Sequence, residues 1–268
     1  MEGKRKPHLL ITNDDGVLAP GLLALAEALQ SVGSVSVVAP DHNWSAAGHS
    51  KTMHKPLRAD PTILTNGIPA FVTTGAPSDA IALGVMGLVP LPVDMVIAGI
   101  NRGANLGHDV TYSGTVTAAM EGAISGIPAI AVSLDSSSSA ADYSPAATFV
   151  ARLVERAWLE GLPPSVLLNV NVPALPGEQI KGVQVTRMGQ RIYRDQLVRR
   201  EDPLGRPYYW IGGEVPTGVV ERGTDFGAVS QGYISITPLQ LDFTAFTFLD
   251  VLHRWGVAEE WGNREDLQ

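Results

Sequence analysis

The feature that most constrains this chain is a set of short, uninterrupted apolar runs, each followed by a polar cluster and then by a stretch with helical spacing. Residues 8–12, 35–39, 93–98 and 128–134 are such runs. A strand that is apolar at every position, rather than at every second one, is covered on both faces, and that is the pattern of a parallel sheet between helix layers. The intervening segments fit. Residues 20–30 place Leu22, Leu25, Ala26 and Leu29 on one helical face, and 76–86, 115–125 and 144–160 also read as helices. Between 57 and 72 lie short β pieces with an Asn66-Gly67 hairpin turn. The expectation is an α/β fold with a mostly parallel sheet and helices on both faces.

Beyond the strand at 166–172 the character changes. Residues 183–187, 192–199 and 208–211 read as strands without intervening helices, and Asp202-Pro203-Leu204-Gly205 is a turn between two of them. This predicts a projecting β-hairpin. Its apolar residues, Ile192, Tyr193, Leu197, Tyr208, Tyr209 and Trp210, favour a subunit contact over an ordinary surface hairpin. The tail from 243 to 261 reads as a helix apolar on one side. The expected organisation is a core over 1–182, a β-rich extension over 183–242 that returns to the core, and a helical segment over 243–268.

Composition then removes several classes. A net charge of −8 argues against a protein that coats nucleic acid, which needs basic patches to replace phosphate counterions. The absence of cysteine excludes disulfides, thiolate metal sites and a cysteine nucleophile. No secretory h-region and no apolar stretch long enough to span a bilayer stand out, so the expectation is a cytoplasmic protein without a membrane partner.

In open parallel sheets ligands bind at the carboxyl ends of the strands. Three polar clusters stand at such ends. Asn13-Asp14-Asp15-Gly16 sets two adjacent carboxylates in a turn, where both can aim at one cation; hard oxygen ligands suit Mg²⁺ or Mn²⁺. The alternative there is a plain turn and helix cap. The loop from His42 to Ser50 offers the Ser45 hydroxyl, with a generic polar loop as its alternative. The third cluster runs from Gly99 to Thr115. Asn101 supplies an amide oxygen, and Ser113, Gly114 and Thr115 stand at a helix start, where backbone N–H groups and hydroxyls make an anion site. It matches neither the dinucleotide glycine fingerprint nor the P-loop. Taken together, the clusters make a set that a metal bridging to a phosphate requires, and they predict metal-assisted phosphate ester hydrolysis.

These segments resemble the SurE survival-protein family of nucleotidases. The resemblance is carried by Ile11-Thr12-Asn13-Asp14-Asp15-Gly16 with Ala19-Pro20-Gly21, by Val38-Ala39-Pro40-Asp41 with Ser45-Ala46-Ala47-Gly48, and by Gly99 to Gly107 with Tyr112-Ser113-Gly114-Thr115-Val116. Asn169-Val170-Asn171-Val172-Pro173, Gly223-Thr224-Asp225 and the stretch from Gly232 to Leu239 also fit, so nearly the whole chain is covered in order. The resemblance implies a Rossmann-like core and hydrolysis of nucleoside 5′- and 3′-monophosphates, with short polyphosphate as a further substrate of some members. It implies one divalent ion per subunit, Mg²⁺ or Mn²⁺, on Asp14, Asp15, Ser45 and Asn101. It places phosphate at Ser113, Gly114 and Thr115, with Asn13 and Asn105 assisting. Asp14 counts as catalytic, and Asp109 as general acid or base, with helix capping as the alternative for Asp109. It also implies a homodimer or homotetramer built through the hairpin and the C-terminal segment. Two positions depart from the family pattern: Ala76 replaces a threonine in Thr74-Gly75-Ala76-Pro77-Ser78-Asp79, and His108 replaces an acidic residue.

Two other classes compete. An aspartyl-phosphate phosphatase needs a second Asp two residues after the nucleophile, and Asp15 is followed by Gly16 and Val17. A nucleotide-binding sensor without hydrolytic activity would lose the carboxylates, and both are present.

Overall fold

The computed structural model of the chain describes residues 5–163, 165–214 and 216–257. Among these, the first strand, β1 (His8–Thr12), leads to α1 (Pro20–Leu29), β2 (Ser34–Pro40), β3 (Ala59–Ile63), β4 (Pro69–Thr73) and α2 (Pro77–Leu83). Then follow β5 (Met95–Arg102), α3 (Gly114–Ile124), β6 (Ala129–Asp135), α4 (Ser144–Glu160) and β7 (Val166–Pro173). The later elements are β8 (Val183–Val185), β9 (Arg191–Ile192), β10 (Asp195–Glu201), β11 (Pro207–Gly213), β12 (Thr217–Gly218), α5 (Asp225–Ser230), β13 (Ile234–Gln240) and α6 (Phe246–Arg254).

The main sheet runs β3-β4-β2-β1-β5-β6-β7-β13-β8. Strands β4, β2, β1, β5, β6 and β7 are mutually parallel, while β3 and β13 run against β4 and β7. The strand order steps outward from β1 in one direction through β2 and in the other through β5, so the topology switches between β1 and β5. The expected Rossmann-like α/β architecture is the one found.

Continuous apolar strands have a direct cause here. Successive side chains of a strand point to opposite faces. In β1, Leu9 and Ile11 pack with Leu22, Leu25 and Leu29 of α1 and with Val150 and Val154 of α4. Leu10, between them, packs against Ala80 and Ile81 of α2 and Ala118 and Ala119 of α3. Two helix layers therefore claim alternate residues of one strand. Each fully buried leucine contributes about 1.5–3 kcal/mol, so β1 anchors both layers.

Several boundaries differ from the sequence reading, three of them in the segments that build the site, the hairpin and the tail. Residues 99–113 are not all loop: β5 continues to Arg102, because Asn101 and Arg102 pair with Ser133 and Leu134 after a register shift, and residues Gly107–Thr111 form a 3-10 turn. The strand expected at 192–199 is two pieces, since β9 pairs with β12 and the chain then crosses into the β10–β11 hairpin. The expected terminal helix is helical from Phe246 to Arg254, and its residues 258–261 lie outside the described residues. Among the described residues no helix is long and apolar enough to cross a membrane.

Candidate active site

At the switch point β1 ends and the chain turns through Asn13 to Gly16. Asn13 is buried, and its Nδ2 donates to the Gly16 carbonyl at 3.0 Å, closing the turn. Its Oδ1 is buried without a donor. An unpaired buried acceptor costs about 1–3 kcal/mol, so it marks a place built for something other than packing.

Asp14 is only 3% exposed. Burial pushes its pKa up; a hydrogen bond donated by the Thr115 hydroxyl opposes the rise, and the neighbouring Asp15 charge adds to it. Thr115 is the second residue of α3, so the carboxylate sits on the first turn of that helix. A Cβ on Gly114, the first residue, would lie 2.7 Å from the Asp14 Cβ. Asp15 takes different partners: Oδ1 accepts from Asn43 Nδ2 at 3.2 Å and Oδ2 from the Arg102 backbone N–H at 3.1 Å.

The other two clusters close on this pair. The Trp44 N–H donates to the Asp14 carbonyl at 2.7 Å, which brings the exposed Ser45 alongside, and the Ser45 N–H is held by Asn43 Oδ1 at 2.6 Å. Asn101 precedes Arg102, the donor to Asp15. Its Nδ2 is committed to the Gly103 carbonyl at 2.8 Å, leaving the amide oxygen as the end available to an ion. The structure thus brings Asp14, Asp15, Ser45 and Asn101 together around the ends of β1, β2 and β5. Among the described residues no three His, Cys, Asp or Glu side chains converge, so a cation here would rest on two carboxylates completed by neutral oxygens.

Ser113 is the N-cap of α3, its Oγ accepting from the Val116 N–H at 3.1 Å. Gly114 and Thr115 follow as the first two helical residues, buried at the helix start. Asn105 is engaged differently from a free substrate ligand. Its Nδ2 donates to Ser133 Oγ at 2.7 Å, its N–H to Asn171 Oδ1 at 2.8 Å, and its carbonyl accepts from Asn169 and Asn171. It is a buried tie between the loop and strands β6 and β7. Asp109 also departs from the expectation. One oxygen accepts from the Tyr193 hydroxyl and the other lies 2.7 Å from Arg191 Nε, so both carboxylate oxygens are engaged by the chain itself. Its carbonyl accepts from Tyr112 and Ser113, at 3.0 Å each, which is the capping role.

Sequence reasoning did not single out several groups that hold this arrangement. Glu121, buried in α3, binds Lys51 Nζ at 2.7 Å and His49 Nε2 at 3.2 Å and so pins the 42–54 loop to the helix. Arg191 and Tyr193 lie more than eighty positions from Asp109; nothing in the local sequence marks Arg191, and Tyr193, grouped above with the apolar hairpin residues, gives its hydroxyl to Asp109. Ala76 leaves the start of α2 without a side-chain cap; Asp79 Oδ2 still accepts from the Ala76 N–H at 2.9 Å. His108 is exposed. A cleft of about 250 Å³ lined by Asp15, Leu18, Asn43, Arg102 and Tyr143 adjoins the carboxylates. A larger recess of about 450 Å³, with Arg5, Lys6, Arg152 and Trp158, belongs to a different surface and contains none of these groups.

A doubly wound sheet that sets a carboxylate pair at its topological switch point, beside the start of α3, defines an open α/β protein of the mononucleotide-fold type. The family profile for survival protein SurE matches residues 9–195. The 5′-nucleotidase SurE of Chloroflexus aggregans is 49% identical over 95% of this chain and 99% of its own length. That of Herpetosiphon aurantiacus is 50% identical over 96% and 99%. The crystal structure of the SurE protein from Aquifex aeolicus superposes with a TM-score of 0.80 at 41% identity, covering 93% of this chain and 99% of that one. The chain belongs to the SurE family.

Proposed function

We propose that the protein is a divalent-metal-dependent 5′-nucleotidase that hydrolyses nucleoside monophosphates to nucleoside and phosphate. The observation that carries this reading is the meeting of Asp14 with the first turn of α3 through Thr115 and Gly114. Carboxylates that hold a cation and a helix start that holds an anion then share one spot. The relatives named 5′-nucleotidase SurE support the substrate class.

Asp14, Asp15, Ser45 and Asn101 would hold one Mg²⁺ or Mn²⁺. The donor set fits: two carboxylates and two neutral oxygens are hard ligands, and the unpaired Asn13 Oδ1 lies in the same turn. When bound, such an ion polarises the phosphoryl oxygens and lowers the pKa of a coordinated water. The chain's own residues do the rest. Gly114 and Thr115 hold the phosphoryl group at the positive end of α3, where backbone dipoles oppose developing negative charge. Ser113 keeps that end in shape as N-cap, and Asn13 and Asn105 brace the two flanking turns. The cleft beside Asp15 and Tyr143 is where we place the nucleoside. Nucleoside 3′-monophosphates and short polyphosphate present the same terminal phosphoryl group and are assigned as further substrates.

We also place a homodimer or homotetramer contact on the β10–β11 hairpin and α6, which expose Leu197, Trp210, Ile211, Phe246 and Trp255. Phosphate release from a panel of nucleoside 5′- and 3′-monophosphates, with Mn²⁺, Mg²⁺ or EDTA, tests the reading. Release that EDTA and Asp14→Ala both abolish is expected. A folded, metal-loaded wild type that releases nothing refutes it and leaves a binding role.

A further inference from the structure

The segment that leads into the hairpin is fastened to the 3-10 turn at Gly107–Thr111 by two carboxylates. Asp225, fully buried, accepts from the Gly107 N–H through Oδ2 and from the Gly189 N–H through Oδ1, each at 2.7 Å. The two strands of backbone are so close that a Cβ on Gly107 would lie 2.4 Å from the Gly189 carbonyl oxygen. Asp109 makes the second fastening, to Arg191 and Tyr193. The Arg191 Nε–H is off line, so that contact is an ion pair rather than a linear hydrogen bond. The guanidinium also lies over the Phe226 ring at 5.6 Å, which fixes it from a second side. Both charged side chains are largely shielded, with 13% and 19% of their surface exposed.

The main chain of Asp109 faces the opposite direction. Its carbonyl takes the N–H groups of Tyr112 and Ser113, and Ser113 is the N-cap of α3. One residue therefore touches the hairpin root with its side chain and sets the start of the phosphate-binding helix with its backbone. Shielding and the bond to Asp109 push the Tyr193 hydroxyl up to about 12, so it remains a proton donor to Asp109 through the neutral range.

We propose that Asp109 is a positioning residue, and that the Asp109–Arg191–Tyr193 contact holds the start of α3 in phosphate-binding geometry from the root of the hairpin. This rests on the placement of phosphate at Gly114 and Thr115. It makes substrate affinity depend on how the hairpin root is seated, although Arg191 and Tyr193 touch neither carboxylate of the Asp14–Asp15 pair.

The test uses the full chain with Mn²⁺ and reads two quantities: the Kd of inorganic phosphate by calorimetry, and kcat and KM for a nucleoside 5′-monophosphate across pH. Arg191→Met and Asp109→Asn are expected to raise the phosphate Kd and KM together by roughly five- to tenfold, the size of one lost charge-assisted contact. Tyr193→Phe, which removes only a hydroxyl, shifts both in the same direction by less, and Arg191→Lys recovers part of the loss. In the Arg191 and Tyr193 variants kcat stays within about twofold, as for lost ground-state binding. The double variant Asp109→Asn/Arg191→Met is no weaker than the worse single, because both changes remove one contact.

Unchanged phosphate Kd in Arg191→Met and Tyr193→Phe proteins that melt like wild type overturns the proposal. So does a collapse of kcat with loss of one pH limb in Asp109→Asn alone, which would make Asp109 a proton-transfer group. A wild type that binds phosphate without hydrolysing the ester refutes the nucleotidase reading, while the variants' phosphate Kd still judges this one. A wild type that binds no phosphate sinks both.

Discussion

Gly114→Ala isolates the fit between the carboxylate and the helix start. Gly114 is the first residue of α3, in a conformation open to any residue, so alanine there favours the helix by up to about 1 kcal/mol. The new methyl, however, would stand 2.7 Å from the Asp14 Cβ and 2.9 Å from Oδ2, against the 3.4–4 Å of ordinary contact. Relief requires Asp14 to retreat by roughly 0.7 Å, and such overpacking costs about 1–3 kcal/mol. The helix gain offsets only part of this, leaving a net loss of about 0–2 kcal/mol, so the melting midpoint should fall by no more than about 8 °C at about 2–4 °C for each kcal/mol. Activity should not be spared, because a misplacement approaching 1 Å at reacting groups costs on the order of a hundredfold in rate. Gly122→Ala is the control. It lies on the same helix, and its Cβ would meet Val96 at 2.9 Å in the core, far from Asp14 in sequence. It should lose stability and keep kcat/KM. The assay is kcat/KM for a nucleoside 5′-monophosphate at saturating Mn²⁺, beside thermal unfolding of each protein. A Gly114→Ala enzyme within threefold of wild type, or an equal loss from Gly122→Ala, would show that the contact with Asp14 does not position the chemistry.

Other perturbations probe the same framework. Burial raises the pKa of Asp14, so its ionisation opposes the fold: that part of the stability is full below the unfolded value of 3.8 and is lost as pH rises through the raised folded value. In EDTA at pH 7, Asp14→Asn should therefore melt above wild type, with the gap closing as pH falls toward 4; an equal or lower midpoint at pH 7 refutes the assignment. Mn²⁺ should then stabilise wild type and not the variant. Asp225→Ala strands the buried Gly107 and Gly189 N–H groups and should cost about 3–5 kcal/mol by urea titration, where a loss under 1 kcal/mol would contradict this bonding. Glu121→Gln removes the charge that Lys51 and His49 hold. About 1 kcal/mol should be lost, and limited proteolysis should cut faster within residues 42–54.

The sheet was legible because its cause is local and repeated. Two helix layers impose apolar residues on both faces of the central stretches of β1, β2, β5 and β6, and those runs are visible without any partner. The carboxylates and the helix start were legible for a related reason: each stands at the end of such a run, and parallel strands place their ends together. The reading faltered where a position is decided by a distant segment. Asn101 and Arg102 read as loop and are strand, because their partners Ser133 and Leu134 lie in β6. Asp109 reads as a general acid or base or as a helix cap; its carbonyl does cap the start of α3, and its side-chain partners, invisible locally, arrive from the hairpin root. Asn105 reads as a substrate ligand, and its amide nitrogen is taken by Ser133.

These departures share a physical origin. Asn101, Ser133 and Asn171 stand in register across β5, β6 and β7, so one row of the sheet near its carboxyl end is polar across three strands. Buried polar groups require partners, and a sheet interior provides none beyond the ladder. The loop from Gly103 to Asp109 supplies them, binding Ser133 and Asn171 through Asn105, Asp225 through Gly107, and the hairpin root through Asp109. Satisfying that row fixes the loop, and the loop fixes the start of α3. The active-site geometry thus follows from the polar accounting of the sheet's edge row, which explains why residues without any contact to Asp14 or Asp15 are expected to govern how phosphate binds.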